Sequence, residues 1–520
     1  MMKEYATNKD DLSQILSRKY GESLDVTQTV LEIIQNVQAR KDEALFEYTA
    51  KFDQVDLKQL KVSQEELSAA YQEVSDELLS VMKLAWQRIL DFHQKQKREG
   101  FVFTKNGEVM GQRILPLAKV GVYVPGGTAS YPSTVLMDVA PAKVASVKEI
   151  VLITPPNKEG KVNPAVLVAA DIAGVDQIFK VGGAHGIAAL AYGTQTIPRV
   201  DKIVGPGNIY VATAKRLVYG QVDIDMIAGP SDVLIIANQS ANPKWLAADL
   251  LAQAEHDALA QAVLITDDEK LLEQVKQEVI QQLEKLPRKE IAQKSLENNG
   301  KLILDQDLQE ACQIANTIAP EHLEIAVDHP FDYLGFIQNA GSIFLGHYTP
   351  EVLGDYLAGP NHTLPTEGTA RFYSALSVDD FVKRSSYLYF SKAHFAELNQ
   401  QVQIFAQAEG LQGHANSAKV RRNKIRFLHS KFQNIKPYTP GEQLNNPEVI
   451  KLNTNENPYP TLTNVIEAAT KAAATLSRYS DPTAREVIEP LAASIFHYGE
   501  VKIPDLKQAL QQAQITVREV

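Results

Sequence analysis

A carboxylate and an imidazole stand side by side at Glu321 and His322, directly after Pro320 and just past the helical pattern of Leu308–Ile318. Neighbouring residues cannot face each other on a helix, but at a turn both side chains can point into one cleft. They would then be two proton-transfer groups with different ordinary pKa values, which suits two successive proton removals. Glu-His pairs are also common on protein surfaces, so the pair alone leaves both interpretations open.

Two further segments carry groups that bind metals or transfer protons. Gln253 and His256 stand three residues apart at the end of a predicted helix, so an amide oxygen and an imidazole can converge on one ion from a shared helix face. Asp355 and His362 lie in a segment rich in glycine and proline, and loops of this composition present polar side chains. A solvated helix end and a surface turn are the alternative interpretations.

Glycine-rich turns follow three predicted strands. Such a turn at the carboxyl end of a strand lets the backbone approach a phosphate or a ribose, and α/β sheets bind nucleotides at these ends. None of the turns fits the dinucleotide fingerprint, because Tyr210 occupies the third glycine position after Gly205 and Gly207. A single cluster indicates only a tight turn, whereas three together favour a nucleotide. The turns are residues 125–127, 182–186 and 205–208.

Short β-branched runs alternate with alanine-rich helical segments in the middle of the chain. Residues 120–124, 150–153 and 177–181 have strand composition, and the residues between them have helical spacing. A second series of the same kind starts at Val233. This alternation predicts an α/β fold with two tandem lobes. The predicted segments are 1–98 (N-terminal helical segment), 99–237 (first α/β lobe, with nucleotide-binding turns), 238–380 (second α/β lobe), 381–430 (helical C-terminal arm) and 431–520 (tail).

Composition and charge exclude several classes of function. The 520 residues are too many for one compact core and predict several lobes. The formal net charge of -11 disfavours nucleic acid as a partner. No apolar run has the form of a signal peptide or a membrane span, so we expect a cytoplasmic protein that does not bind membranes. The single cysteine, Cys312, excludes a multi-cysteine zinc site, so any metal would have nitrogen and oxygen ligands.

Seven segments, taken together and in this order, resemble motifs of the histidinol dehydrogenase family. The resemblance runs from about residue 10 to residue 430. It implies two tandem Rossmann-like lobes similar to those of aldehyde dehydrogenases, NAD and Zn²⁺ as cofactors, and a homodimer with shared active sites. The segments are Tyr-Val-Pro-Gly-Gly at 123–127, Val-Gly-Gly-Ala at 181–184, Gly-Pro-Gly-Asn at 205–208, Ala-Gly-Pro-Ser at 228–231, Gln-Ala-Glu-His at 253–256, Pro-Glu-His-Leu at 320–323, and Gly-Asp-Tyr with Asn-His at 354–362.

The resemblance also implies roles for individual residues. Two imidazoles and two oxygen donors would form a zinc site that leaves positions free for substrate, so that zinc orients the substrate rather than activates water. The implied zinc ligands are Gln253, His256, Asp355 and His414. The implied substrate contacts are these four residues with Ser231, His322, His362 and Glu409, and the implied NAD contacts are Tyr123, His185 and Asn208.

The implied reaction is the four-electron oxidation of L-histidinol through L-histidinal to L-histidine, the last step of histidine biosynthesis. Two NAD molecules would each accept one hydride. His322 would take the alcohol proton, and Glu321 would activate the water that adds to the bound aldehyde. Each member of the pair would therefore serve one half of the reaction.

One position departs from the family pattern. The residue after Gly-Gly-Ala is usually glutamine, whereas this chain has His185. Because a histidine changes its charge near neutral pH, the sequence predicts an altered affinity for NAD that depends on pH.

Beyond Ser430 the family pattern ends. Residues 451–460 and 478–483 resemble the N-terminal segment of histidinol-phosphate aminotransferase, over about residues 435–490 only. A pyridoxal-phosphate enzyme of that kind needs a large domain with a Schiff-base lysine. We therefore expect a truncated fusion without transaminase activity, and an added interaction surface is the alternative.

Two other classes of function are open for the main part of the chain. A zinc hydrolase would use Glu321 to activate a metal-bound water, but it would leave the three glycine turns without a role. A scaffold without catalytic activity, assembled from pathway fragments, would account for the truncated tail.

Overall fold

The computed structural model describes residues 2–18, 25–126 and 131–421, and six single positions after residue 462. The chain divides into two compact units, Met1–Arg422 and Asn423–Val520. Gly127 of the first glycine turn and, apart from the six positions, the predicted tail at 431–520 lie outside the described residues. Within the described part of the chain, no helix is long and apolar enough to cross a bilayer.

All the strands and helices named below lie in the first unit. The strands are β1 (Lys3–Ala6), β2 (Phe101–Lys105), β3 (Glu108–Pro116), β4 (Lys119–Tyr123), β5 (Glu149–Thr154), β6 (Gln177–Lys180), β7 (Lys202–Val204), β8 (Asp223–Ile224), β9 (Asp232–Ala237), β10 (Gln261–Thr266), β11 (Lys301–Leu304), β12 (His322–Ala326), β13 (Ser342–Leu345) and β14 (Val382–Phe390). The helices are α1 (Leu12–Leu16), α2 (Thr27–Arg40), α3 (Asp42–Phe52), α4 (Gln64–Glu73), α5 (Asp76–Gln94), α6 (Pro132–Val144), α7 (Pro164–Ala173), α8 (Gly183–Tyr192), α9 (Ile209–Val218), α10 (Pro243–Ala254), α11 (Glu269–Leu283), α12 (Lys289–Asn299), α13 (Leu308–Ile318), α14 (Phe331–Leu334), α15 (Glu351–Tyr356), α16 (Lys392–Ala408) and α17 (Gln412–Val420).

The first sheet has five parallel strands in the order β6-β5-β4-β7-β8. Its central strands are mostly apolar because helices cover both faces, as in β5, where only Glu149 is not fully buried. Helices α6 and α7 share one core with this sheet, and α8 and α9 share the other. The predicted alternation of strand and helix is confirmed here.

The N-terminal helices α2 to α5 pack on this first sheet. Helix α2 packs on α8 and α9, whereas α4 and α5 pack on α7 and α6. The helical spacing of Val30, Ile33 and Val37 places these side chains on one buried face. Within the segment predicted as 1–98, helices α2 to α5 therefore complete the cores of the first sheet, whereas β1 and α1 belong to the second sheet.

The second sheet has six parallel strands in the order β1-β11-β10-β9-β12-β13. Strand β9, where the second series was predicted to start at Val233, pairs with β10 and β12 and so belongs to this second sheet, although the predicted segment boundary lay after it at 237. Strand β1 from the N-terminus pairs with β11 at the edge. Cys312 on α13 is buried beneath the sheet.

The prediction that residues 381–430 form a wholly helical arm is wrong at its start. Residues Val382–Phe390 form β14, which pairs antiparallel with β3 over its whole length. Together with β2 they make a small third sheet. The local residue pattern could not indicate this strand, because its pairing partner lies more than 250 positions earlier in the chain. Helices α16 and α17 follow, as predicted.

Candidate active site

A cavity of about 340 Å³ lies between the two parallel sheets. One wall is formed by Pro125 after β4 and by residues 205–208 after β7. The opposite wall includes Ser231, which precedes β9, and Glu321, which precedes β12. The first sheet therefore contributes the carboxyl ends of its strands, where α/β sheets bind ligands, and the second sheet contributes the amino ends.

The cavity brings together most of the predicted site residues. Helix α10 runs back from the carboxyl end of β9, so Gln253 and His256 at its end reach the amino edge of the second sheet. The predicted residues that line the cavity are Asn208, Ser231, Gln253, His256, Glu321, His322, Asp355 and His362. Tyr123, His185, Glu409 and His414 are predicted site residues that do not line it.

The Glu321–His322 pair is held at the start of a central strand. Helix α13 ends at Ala319, which adopts a left-handed conformation with φ 53°, and Pro320 prevents the helix from continuing. His322 then opens β12 between Val233 of β9 and Ser342 of β13. Both residues line the cavity, so of the two interpretations left open by the sequence, the structure shows the shared cleft and not the exposed surface pair.

The hydrogen bonds of His322 fix its tautomer. Its Nδ1 lies 3.2 Å from the backbone oxygen of Asp232, and because a carbonyl oxygen can only accept, Nδ1 carries a proton. Its Nε2 has no hydrogen-bond partner among the described residues and lies 3.8 Å from Oδ1 of Asp355. In the neutral ring, the Nε2 lone pair is therefore free to accept a proton.

The surroundings of the pair shift both pKa values. Burial raises the pKa of Glu321 to about 7, against the opposing charge of His322. Burial lowers the pKa of His322, but the carboxylates of Glu321, Asp355 and Glu351 outweigh burial and raise it well above its usual value. Glu321 can thus gain or lose a proton near neutral pH, whereas the carboxylates favour the protonated ring of His322, which binds a proton strongly and can accept one only after it has released its own.

A carboxylate and two imidazoles occupy the other side of the cavity. Burial alone would raise the pKa of Asp355, but His322, His362 and His256 lower it. Burial lowers the pKa values of both His256 and His362. The ring of His362 donates through Nδ1 to the backbone oxygen of Asp355 at 3.0 Å. The site therefore combines an ionised carboxylate with neutral imidazoles, the protonation states that a metal ion requires.

The four predicted zinc ligands are not assembled in one chain. Gln253, His256 and Asp355 line the cavity, whereas His414 is exposed on α17. When its amide is oriented to satisfy its neighbours, Gln253 donates to Glu351 at 3.1 Å and accepts from the Asp232 amide at 3.0 Å. The described residues contain no preformed group of three or more histidine, cysteine, aspartate or glutamate side chains that could hold a metal.

A buried ion pair that sequence reasoning missed fixes the turn at 205–208. Gly205 adopts φ +113°, and a Cβ atom there would lie 2.1 Å from the backbone oxygen of Tyr123. The Gly205 amide donates to Asp225 at 2.7 Å, and Lys215 donates to the Gly205 carbonyl at 2.9 Å and also to Asp225. The sequence signal that could have indicated this ion pair is Lys215, which lies on the otherwise apolar face of α9 and therefore needs a buried partner.

The predicted NAD contacts occupy three different environments. Asn208 lines the cavity and caps α9, its side-chain oxygen accepting from the amides of Tyr210 and Val211. Tyr123 is buried beside Gly207, where a Cβ atom would lie 3.1 Å from its ring. Burial raises the pKa of the Tyr123 hydroxyl to about 12.

The structure contradicts the predicted pH dependence at His185. The ring is 1% exposed and packs near Tyr48 and Phe52, with centroid distances of 5.7 and 5.9 Å. Burial lowers the pKa of His185 to about 3, so the ring is neutral throughout the physiological range. The prediction was wrong because it assumed a solvated histidine. A contact between His185 and NAD stays a prediction.

Glu409 and His414 lie at the junction of α16 and α17. Both residues are exposed, and neither lines the cavity. Glu409 ends α16, and the His414 amide donates to the backbone oxygen of Leu411. Within one chain, therefore, neither residue reaches the cavity in which it was predicted to bind substrate or zinc.

The comparisons with known proteins agree over most of the chain. Residues 16–422 match the family model described as histidinol dehydrogenase. The chain is 56% identical over 410 residues to a histidinol dehydrogenase of Clostridium acetobutylicum, covering 78% of this chain and 95% of that protein. It is 54% identical over 420 residues to one of Geobacter sulfurreducens, covering 80% and 98%.

A solved structure gives the same result. The crystal structure of histidinol dehydrogenase from Elizabethkingia anophelis matches with a TM-score of 0.78 at 40% sequence identity, covering 81% of this chain and 98% of that one. The curated relatives and the solved structure each match about four fifths of the chain, and the family model matches residues 16–422. The chain therefore belongs to the histidinol dehydrogenase family.

Proposed function

We propose that this protein is an NAD-dependent histidinol dehydrogenase that oxidises L-histidinol through L-histidinal to L-histidine, the last step of histidine biosynthesis. Membership of the family supports the reaction. The structural observation that carries it is the Nε2 of His322, which has no hydrogen-bond partner among the described residues and lies in a cavity shared with Glu321. A base and a second proton-transfer group thus lie where the substrate would bind.

The pair serves the two halves of the reaction in turn. In the first half, His322 accepts the hydroxyl proton of histidinol while a hydride leaves the same carbon for NAD. In the second, Glu321 removes a proton from the water that adds to the aldehyde carbonyl, and the resulting hydrate gives a second hydride to a second NAD. One water is consumed and two NADH are formed for each histidine.

We propose that NAD binds to the first sheet through Tyr123, His185 and Asn208. The strand order β6-β5-β4-β7-β8 supports this, because it corresponds to 3-2-1-4-5 within the lobe, the order of a nucleotide-binding Rossmann half. The turn at 205–208 follows the strand beside the switch in strand order, where such sheets bind ligands. Two tandem Rossmann-like lobes, similar to those of aldehyde dehydrogenases, are part of this proposal.

We propose that Ser231 and His362 contact the substrate and that Gln253, His256, Asp355 and His414 hold a zinc ion. Three of these four residues line one cavity, and the pKa shifts of His256 and Asp355 favour the forms that bind a metal. When bound, zinc would fix the imidazole and amine of the substrate and leave proton transfer to the pair. His414 would have to come from a second subunit.

A homodimer with shared active sites would supply the missing groups. Glu409 and His414 are exposed in this chain, and so are apolar residues of the same arm, Ile404 at 57% and Phe405 at 75%. Large exposed apolar side chains are typical of protein interfaces. We propose that this arm of each subunit completes the cavity of the other, and that the dimer is cytoplasmic.

The division of the chain into segments at 98, 380 and 430 stays a proposal, as does the aminotransferase-like character of residues 435–490. We expect no transaminase activity from this tail. An assay with histidinol phosphate or its keto precursor in the presence of pyridoxal phosphate would contradict this expectation if amino transfer occurred.

The stoichiometry of NADH formation tests the proposed function. We expect two NADH for each histidinol consumed, one histidine as product, and loss of turnover after a chelator that zinc restores. No NADH from histidinol would favour the zinc hydrolase, and no turnover of any substrate would favour the scaffold. A yield of one NADH with accumulated histidinal would contradict the four-electron reaction.

A further inference from the structure

Asp232, the first residue of β9, contacts both members of the Glu321–His322 pair. The Glu321 amide donates to Oδ1 of Asp232 at 2.7 Å, and the Asp232 amide donates to Oε2 of Glu321 at 3.0 Å. The Asp232 carbonyl accepts from Nδ1 of His322 at 3.2 Å. This one residue therefore holds the backbone and carboxyl group of Glu321 and the ring orientation of His322.

Arg18 neutralises the Asp232 carboxylate from the N-terminal segment. Its guanidinium donates to Oδ2 of Asp232 at 2.7 Å and to the backbone oxygen of Pro230 at 2.7 Å. The side chains of Arg18 and Asp232 are 7% and 2% exposed. At this burial the carboxylate would be strongly destabilised without its partner. Arg18 thus fixes the aspartate and also the turn that leads into β9.

The segment that carries Arg18 is itself anchored on the second sheet. Strand β1 pairs with β11 over four residues. The buried Lys301 at the start of β11 donates to the backbone oxygens of Ile15 and Ser17. Arg18 follows directly, so its side chain reaches Asp232 from a fixed position. The two residues are about 200 positions apart in the sequence.

We propose that Arg18 and Asp232 are positioning residues for the catalytic pair, acting through Glu321 and His322 without contacting substrate. Neither residue lines the cavity. The inference rests on the proposed function, because it assigns Glu321 to the aldehyde half of the reaction. The backbone and carboxyl group of Glu321 are both held by Asp232, so a loosened Asp232 should impair that half most.

Arg18→Met tests the proposal. We expect overall kcat to fall roughly 10- to 100-fold, as for a catalytic group displaced by about 1 Å, while the KM for NAD changes less than about twofold. Histidinal, trapped with hydroxylamine, should be released in a larger fraction of turnovers than from the wild type. Arg40→Met is the matched control, because Arg40 also pairs with carboxylates, Glu43 at 2.8 Å and Glu47 at 2.6 Å, but on the surface.

Two companion variants separate positioning from folding. Arg18→Lys keeps the charge and should restore most of kcat. The double variant Arg18→Met with Asp232→Asn removes the unpaired charge, so we expect it to recover the melting temperature but still release histidinal.

An equal loss of both half-reactions in proportion to the folded fraction, without extra histidinal, would overturn the positioning role. A wild-type enzyme that makes no NADH from histidinol would instead overturn the proposed function, so the two failures are distinguishable.

Discussion

The two walls of the cavity contribute different kinds of group. The first sheet presents the backbone of residues 205–208, and the neighbouring carboxylate of Asp225 is already paired with Lys215. The second sheet presents Glu321 and His322, whose Nε2 lacks a hydrogen-bond partner in the described part of the chain. On the first wall the Lys215–Asp225 ion pair fixes the shape of a turn. On the second wall the titratable groups of Glu321 and His322 are available for proton transfer.

This difference separates cofactor binding from chemistry. A glycine turn that is held by a buried ion pair offers a rigid surface with exposed backbone, which suits a nucleotide. A histidine that is held by one nitrogen and free at the other suits a proton acceptor. Substitutions on the first wall should therefore change stability and NAD affinity, and substitutions on the second should change kcat.

The largest expected effect is that of His322→Asn. The asparagine amide can still donate to the Asp232 carbonyl, but it cannot accept a proton as the imidazole Nε2 does. We expect kcat to fall on the order of 10²- to 10⁴-fold for histidinol and much less for histidinal, because Glu321 serves the aldehyde half, with little change in the KM for NAD. NADH formation measured separately from each substrate checks this, and a loss below tenfold for histidinol would argue against His322 as the base.

Lys215→Met should produce the next largest effect, on stability. The side chains of Lys215 and Asp225 are 2% and 1% exposed, so the variant leaves a buried charge unpaired and should lose about 3–5 kcal/mol of unfolding free energy. The KM for NAD should rise more than the KM for histidinol. Denaturant unfolding measures the loss of unfolding free energy, and steady-state kinetics measures the two KM values.

Lys276→Met is the control for that experiment. Lys276 pairs with Glu4 at 2.6 Å, but both side chains are partly exposed, so the variant should lose much less unfolding free energy than Lys215→Met. Equal losses in the two lysine variants would contradict a specific role of the buried pair.

Asp138→Asn should have a smaller, pH-dependent effect on stability. Burial raises the pKa of Asp138 from 3.8 to about 7, with Asp225 adding to the shift and Thr363 and Lys215 opposing it. Between these values the folded state keeps a proton that the unfolded state releases, so this group makes the wild type less stable as pH rises.

Asparagine cannot titrate, so the variant should lose this contribution. The unfolding free energy of Asp138→Asn relative to that of the wild type should therefore rise by on the order of 2 kcal/mol from pH 5 to pH 8. Unfolding free energies of both proteins at the two pH values check this. If the difference in unfolding free energy between the two proteins were the same at pH 5 and pH 8, Asp138 would be ionised in the folded state at both pH values.

The smallest expected effect concerns His185. Because its pKa is lowered to about 3, the KM for NAD should not change between pH 6 and pH 8 through this residue. His185→Gln should have the same pH profile as the wild type. A transition near neutral pH that is present only in the wild type would mean that the ring is accessible and titrates.

Local patterns predicted the elements better than the contacts between them. Helix Leu308–Ile318 was predicted to the residue, because its apolar spacing and the following proline are local signals. Strand β14 was missed because it is defined by pairing with β3. In the same way, residue types and the family resemblance together predicted the Glu321–His322 pair, but they did not indicate Asp232 and Arg18, since the contacts of these two residues join distant segments.

The measurement that tests the central claim most directly is product analysis of Glu321→Gln under single-turnover conditions with excess NAD. If Glu321 serves only the aldehyde half, the variant should form one NADH per histidinol and accumulate histidinal, which hydroxylamine traps. The wild type should form two NADH and histidine. Equal slowing of both half-reactions, with two NADH still formed and no trapped aldehyde, would contradict the division of the reaction between Glu321 and His322.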